Sequence, residues 1–350
     1  MSPPTTARQW IVAKKPTGQV HLSGPDATFA LEPTPLPALS PNQLLLQPLY
    51  LSNDPAQRPW IQAGTDPERA YTPPAKQGQP MRAFGVIAKV VTSTSGNFAE
   101  GDLVSGMLEW TEYTVVDATS VQKLPEVAGI PTTAFLGALG GTGLTAYFGL
   151  LEVGHCKASD VVVVSGAAGA TGQMVVQIAK KMIGCKKVVG IAGSAEKCKT
   201  VESLGADVCV NYKDADFDSQ LKKATDEFAD LYFDNVGGKI LDAMLTRVKR
   251  EGRIVACGAI SAYNDQSAGA IHNWFEIISN RIAVKGFIVT DHLARAAIAR
   301  EELVAAFKAG KIQISGDQET VVDTKFEDIP KTWVMLFAGG NTGKLVTKIV

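Results

Sequence analysis

The chain has 350 residues, 45% of them hydrophobic and 20% charged, which is enough for a sizeable core and for about two domains. Its 34 basic and 35 acidic side chains give a formal net charge of −1, so it carries no electrostatic footprint for nucleic acid or an anionic membrane surface. The start, MSPPTTARQW, lacks a basic segment followed by an apolar run, and no stretch reaches the ~18 apolar residues of a membrane span.

From residue 1 to about 128 the chain is rich in Pro and β-branched residues. Short apolar runs at Leu44–Pro48, Val86–Thr92 and Tyr113–Val116 lie between turn signals such as Ser40-Pro41-Asn42, Gly96-Asn97 and Gly101-Asp102. Many short strands with frequent turns predict a β-rich, barrel-like domain. The segment Gly64–Pro80, with four prolines and little periodicity, reads as a loop.

After about residue 130 the pattern changes. Strand-length apolar runs at Val161–Ser165, Val188–Ala192, Val208–Val210, Leu231–Asp234, Ile254–Cys257 and Ala283–Val289 alternate with helical stretches. The helices are expected at Thr171–Ile183, Glu196–Leu204, Asp218–Phe228, Lys239–Val248 and Ile271–Asn280, then over 291–309. Such alternation predicts a parallel sheet covered on both faces, an α/β domain over 129–311. Short strands return near Glu319–Val322 and Lys344–Ile349, so residues 312–350 are expected to rejoin the first domain. The five cysteines are odd in number and have no C-x-x-C spacing, which fits reduced thiols and a cytoplasmic location.

The most informative segment runs from Val161 through Ser165 into Gly166-Ala-Ala-Gly169-Ala170-Thr171-Gly172-Gln-Met, a buried strand, a glycine-rich turn and a helix. Gly166 permits the tight turn, Gly169 lets backbone N–H groups approach a pyrophosphate, and Gly172 allows tight helix–strand packing. The helix N-terminus adds unpaired donors and about half a positive charge. The spacing G-x-x-G-x-x-G departs from the usual G-x-G-x-x-G, but its strand-turn-helix context reads as dinucleotide binding.

The next strand ends at Gly193, where an NAD enzyme usually places Asp or Glu for the adenosine ribose. Ser194 is the expected N-cap, which puts Lys197 at the third helical position. A cation there opposes the helix dipole unless an anion joins it, and the 2′-phosphate of NADPH is such an anion. The sequence therefore reads as selecting NADPH.

With these residues in hand, the chain resembles the medium-chain dehydrogenase/reductases of the prostaglandin reductase (leukotriene B4 12-hydroxydehydrogenase), plant alkenal double-bond reductase and bacterial curcumin reductase group. The likeness is carried by Tyr50-Leu-Ser-Asn-Asp-Pro55, Gly143-Leu-Thr-Ala-Tyr147, Ala167-Ala-Gly-Ala-Thr-Gly172, Gly193-Ser-Ala-Glu-Lys197 and Asn211-Tyr-Lys213. Tyr232-Phe-Asp-Asn235-Val-Gly-Gly238, Cys257-Gly-Ala-Ile-Ser-Ala-Tyr263-Asn and Gly340-Asn341-Thr-Gly-Lys344 complete it.

The resemblance implies a GroES-like β-barrel joined to a doubly wound Rossmann sheet, and a homodimer that pairs through the exposed edge of the last Rossmann strand near Lys285–Val289. It implies NADPH held by the backbone of Gly169, Ala170, Thr171 and Gly172, with Lys197 and Tyr212 at the 2′-phosphate. Asn235 and the Cys257–Tyr263 turn would lie near the ribose and nicotinamide, Phe287, Ile288 and Val289 along the carboxamide, and Asn341 over the cofactor. Where the group commonly reads Asp-Pro-Tyr-Met-Arg this chain has Asp54-Pro55-Ala56-Gln57-Arg58, which is expected to alter the substrate-facing wall.

Many relatives of this two-domain type hold zinc through Cys and His of the first domain. Here the first cysteine is Cys156 and only His21 and His155 precede it, so no metal is expected. Without a Lewis acid the substrate must supply its own electron sink, as a carbonyl conjugated to C=C does. Hydride addition to the β-carbon then produces an enolate, for which Tyr263 is the candidate donor. An NADPH:quinone oxidoreductase on the same scaffold, or a non-catalytic NADPH-binding protein, are the alternative readings.

Overall fold

A computed structural model describes residues 4–350, and the chain divides into two compact units, residues 1–136 with 319–350 and residues 137–318. Among the described residues no helix is long and apolar enough to cross a membrane.

The first unit is built on strands β1 (Thr6–Val12), β2 (Phe29–Pro35), β3 (Gln43–Ser52), β4 (Val86–Ser93), β5 (Leu103–Gly106), β6 (Thr114–Asp117) and β7 (Gln122–Lys123). The short helix α1 (Gln57–Trp60) follows β3. β1 and β2 form an antiparallel pair, and a seven-stranded sheet contains β3 to β7. Leu44, Leu46, Leu51, Val86, Ala88 and Val90 of β3 and β4 point into one core, where Phe29, Trp110 and Trp333 meet with ring centroids 5.4–6.0 Å apart. The rest of this core is mainly aliphatic, and the three rings pack among it in tilted and edge-on arrangements. No strand or helix forms between Gly64 and Pro80, in keeping with its prolines.

The second unit holds α2 (Gly141–Phe148), β8 (Val161–Ser165), α3 (Ala170–Gln177), β9 (Lys187–Ala192), α4 (Ala195–Ser203), β10 (Val208–Asn211), α5 (Phe217–Ala224) and β11 (Ala229–Asp234). It continues with α6 (Gly238–Leu245), β12 (Val248–Ala256), α7 (Phe275–Asn280), β13 (Ala283–Gly286) and α8 (Ala296–Lys308). The sheet order β10-β9-β8-β11-β12-β13, parallel throughout, is the doubly wound Rossmann order. All five residues of β8 are buried, as expected of a central strand covered on both faces. The chain then returns to the first unit with β14 (Glu319–Thr324), α9 (Ile329–Val334) and β15 (Lys344–Ile349), and β15 pairs with β3.

Two expectations need correction. The last apolar run, Ala283–Val289, is a strand only to Gly286; all four residues of β13 are exposed, because it is an edge strand paired on one side with β12. The helix expected over Ile271–Asn280 is confined to Phe275–Asn280, since His272 and Asn273 instead donate their backbone N–H groups to Asp242 at 2.7 Å. A helix stretch also differs in kind: after Gln177 the helix runs on to Ile183 with wider, π-type turns before Gly184 closes it in the left-handed region at φ 79°.

Candidate active site

The carboxyl ends of β8, β11 and β12 converge where the sheet order reverses, the usual ligand position in such a sheet. Gly166 turns the chain with φ 60°, and Gly169 is the N-cap of α3 with no side-chain cap. The first-turn N–H groups of Ala170, Thr171 and Gly172 have no partner within the helix and so suit an anion. A methyl group at residue 172 would stand 2.3 Å from Gly166 O and 2.6 Å from Ala167 Cα. Gly172 therefore packs the helix against the turn itself rather than against the strand. An uncapped helix start closed down on a glycine turn fits a pyrophosphate.

The second strand positions the selective residues. Ser194 caps α4, its hydroxyl accepting from Lys197 N at 3.2 Å, which sets Lys197 in the first turn. Burial, and then the positive charge of Lys213, hold the Lys197 ammonium below its usual pKa. A half-buried ammonium that also feels the charge of exposed Lys213 suits an added anion. Tyr212 follows β10, its N–H bonded to Ala192 O at 3.0 Å, and its ring covers Gly193 so closely that a Cβ there would lie 2.9 Å away. The position where a ribose-binding carboxylate would stand is filled by the tyrosine ring.

A polar network that sequence patterns did not reveal organises the middle of the site. Asp234, at the end of β11, is 2% exposed. Its Oδ1 accepts from Ser165 Oγ at 2.9 Å, Tyr232 Oη at 2.8 Å and the backbone N–H groups of Val236 and Gly237 at 3.0 Å. Asn235 is pinned to β8 by its own N–H to Ser165 Oγ, 3.0 Å, and its Nδ2 to Ser165 O, 2.8 Å. The turn after β12 joins the same network: Cys257 N and Gly258 N donate to Asp234 O at 2.8 and 3.1 Å, and Ser261 Oγ donates to Val236 O at 2.7 Å. An Asp ending an apolar run was the one sequence signal for this hub.

Burial and the charge of Asp234 push the Cys257 thiol up to about 12, so it is a protonated packing group rather than a nucleophile. Tyr263 is half-buried, and Ala259 N donates to its hydroxyl oxygen at 3.4 Å, so the phenol sits against the backbone of its own turn. Phe287 and Ile288 are half-buried and Val289 is buried. Phe287 lies edge-on to Phe233 at 6.4 Å, and a methyl at Gly149 would meet its ring at 2.8 Å. Thus Gly169–Gly172, Lys197, Tyr212, Asn235, Cys257, Tyr263 and Phe287–Val289 all follow strand carboxyl ends of one sheet. Asn341 belongs to the other unit, where its Nδ2 donates to Gly343 O at 2.8 Å.

In the first unit the Asp54–Arg58 stretch is held by hydrogen bonds to its own backbone and to Arg82. Gln57 is fully buried; its Oε1 accepts from Asp54 N at 2.9 Å and its Nε2 donates to Arg82 O at 2.7 Å. Gln57 is thus a structural brace inside the first unit, and its neighbour Ala56 is half-buried. Lys344 Nζ, 2.6 Å from Asp54 Oδ1 and 3.0 Å from Asn53 O, makes a buried ion pair that ties β15 to the end of β3.

Residues 170–305 match the family described as zinc-binding dehydrogenase, and residues 8–124 match the N-terminal domain of oxidoreductase. Among the described residues, no three His, Cys, Asp or Glu side chains are grouped to hold a metal ion. A Saccharomyces cerevisiae protein named an uncharacterized membrane protein is 36% identical, the match covering 98% of each chain. The NADP(+)-dependent 2-alkenal reductase of Nicotiana tabacum is 39% identical over 88% of each chain. The crystal structure of CurA in complex with NADPH from Vibrio vulnificus is 32% identical, with a TM-score of 0.86 over 98% of this chain and 99% of that one.

Proposed function

Since the chain belongs to the medium-chain dehydrogenase/reductase family, within the NADPH-dependent group of prostaglandin and alkenal reductases, we propose that it reduces the activated C=C bond of α,β-unsaturated ketones or aldehydes. The observation that carries this reading is Tyr263, a phenol held on the turn beyond β12, beside the strand ends that carry the cofactor residues. NADPH, when bound, supplies a hydride. Gly169, Ala170, Thr171 and Gly172 would hold its pyrophosphate, Lys197 and Tyr212 its 2′-phosphate, and Asn235 and the Cys257–Tyr263 turn its ribose and nicotinamide. Phe287, Ile288 and Val289 would line the carboxamide, and Asn341 would close over it.

The chemistry left to the protein is electrostatic. As the β-carbon of the substrate gains hydride, the electron pair of the C=C bond moves toward the carbonyl and its oxygen becomes an enolate oxyanion. The Tyr263 O–H donates a hydrogen bond to that oxygen, and a preorganised donor of this kind contributes about 2.7–4 kcal/mol to the transition state. A proton delivered to the α-carbon by the Tyr263 hydroxyl or by water then completes a saturated carbonyl product. No step needs a metal, because conjugation supplies the electron sink.

The enzyme we propose is cytoplasmic and homodimeric. Five free thiols suit a reducing compartment. The exposed edge of β13, with Val284 49% exposed and Phe275 and Ile278 of α7 at 70% and 61%, suits pairing with a second copy. Light scattering tests the dimer: a monomer mass at micromolar concentration contradicts it. For the activity, NADPH and NADH consumption is followed with an alkenal, an enone and a quinone. Enone turnover preferring NADPH is expected, whereas turnover confined to quinones sinks the proposal in favour of a quinone reductase.

A further inference from the structure

The sulfur atoms of Cys156 and Cys185 are 3.4 Å apart, far from any role in the site above. We propose that these two thiols form a reversible disulfide on exposure to peroxide, and that this staple hardens the cofactor-binding unit without closing it.

The placement supports a staple rather than an off-switch. The two cysteines are 29 residues apart, and the chain between them is β8, the phosphate turn and α3 with its π-type continuation. Cys156 lies before β8 and Cys185 lies after the helix, so both stand at the amino end of the strand. The phosphate turn is at the carboxyl end, five residues away along β8, a distance of about 16 Å at ~3.3 Å per residue. A covalent bond there closes the base of the strand-turn-helix unit and leaves its ligand-binding end open.

Both backbones are already fixed. Cys156 N donates to Leu150 O and Cys185 N to Ala179 O, each at 2.9 Å. The segment before β8 is further held by Arg253, which donates to Gly154 O, to His155 O at 3.2 Å and to Asp160. Cys185 is buried and Cys156 half-buried, so a small oxidant reaches the pair from the Cys156 side. The hydrogen bond from Cys156, and the charge of Lys180, lower the Cys185 thiol, making its thiolate the better nucleophile, while Cys156 is raised and retains its proton.

The chemistry balances with a peroxide as oxidant. The thiolate sulfur attacks one peroxide oxygen and the O–O bond breaks; the departing hydroxide takes up the proton that the thiol gave up on ionising and leaves as water, with a sulfenic acid on the sulfur. The second sulfur attacks the sulfenic sulfur, its proton passes to the departing hydroxyl, and a second water leaves as the S–S bond forms. Two thiols lose two electrons, and the peroxide is reduced to two waters.

The full-length reduced protein is treated with a small excess of hydrogen peroxide, then examined by intact mass, peptide mapping, thermal melting and NADPH titration. The expected result is loss of two hydrogens per chain, localised to a Cys156–Cys185 peptide. The melting midpoint should rise by about 5–10 °C, the scale for closing a loop of this length in a chain of this size, and a thiol reductant should reverse it. The NADPH dissociation constant should stay within about twofold, by the strand-length separation. Cys156→Ser and Cys185→Ser should each melt like the reduced parent and lose the peroxide-induced rise. If either variant misfolds, the peptide map of the unaltered chain still decides. Oxygen uptake on single thiols, a disulfide that leaves out Cys156 or Cys185, an unchanged mass, or weakened NADPH binding would each overturn the inference.

Discussion

Replacing Lys197 with alanine should separate two effects of opposite sign. In the protein without cofactor, Lys197 occupies the first turn of α4, where its charge opposes the helix dipole and is further disfavoured by burial and by Lys213. Removing it should stabilise the apo protein by about 0.3–1 kcal/mol. With NADPH bound the same ammonium would face a 2′-phosphate, and a charge-assisted contact is worth about 1.5–3 kcal/mol. Lys197 is half-buried, and exposed Lys213 remains nearby, so the lower end applies. At about 1.4 kcal/mol per factor of ten, NADPH should bind roughly tenfold more weakly. NADH, which lacks the phosphate, should change by less than about twofold. The assay is a fluorescence titration of each cofactor, run beside urea unfolding of the apo protein. Equal weakening of both cofactors, or an apo protein that loses stability, would refute the assignment of Lys197 to the phosphate.

Three other substitutions probe the remaining parts. Gly172→Ala should drive a methyl group into Gly166 O and Ala167 Cα, cost about 1–3 kcal/mol of stability and weaken both cofactors alike, as read by melting and titration. Tyr263→Phe should lower kcat with an enone by about 10²–10³ while leaving the NADPH dissociation constant unchanged; a full-rate variant would remove Tyr263 from the mechanism. Lys344→Ala leaves Asp54 as an uncompensated buried charge and should cost about 3–5 kcal/mol in urea unfolding, with Lys344→Met/Asp54→Asn recovering much of it.

What could be read from the sequence was what depends on short-range pattern. The run from Val161 to Gly172 announces a buried strand, a turn and a helix within a dozen residues, and each glycine there has a local geometric cause. The capping rule placed Lys197 three residues after Ser194, where the structure has it. The Asp234 hub could not be read in this way, since its partners Ser165 and Cys257 are brought together only by the sheet. The burial of Gln57 could not be read either, because it depends on partners such as Arg82 that are distant in the chain. The apolar stretch Ala283–Val289 reads as a buried strand by composition, yet its first half is an exposed edge, because hydropathy does not distinguish burial in a core from a surface left for another chain.

The most direct measurement of the central claim is the product formed from a simple enone with NADPH carrying deuterium at the transferred position of C4. A saturated ketone labelled at the β-carbon, formed equally fast after treatment with a strong chelator, is the predicted result. An allylic alcohol labelled at the carbonyl carbon, or activity abolished by the chelator, would contradict it.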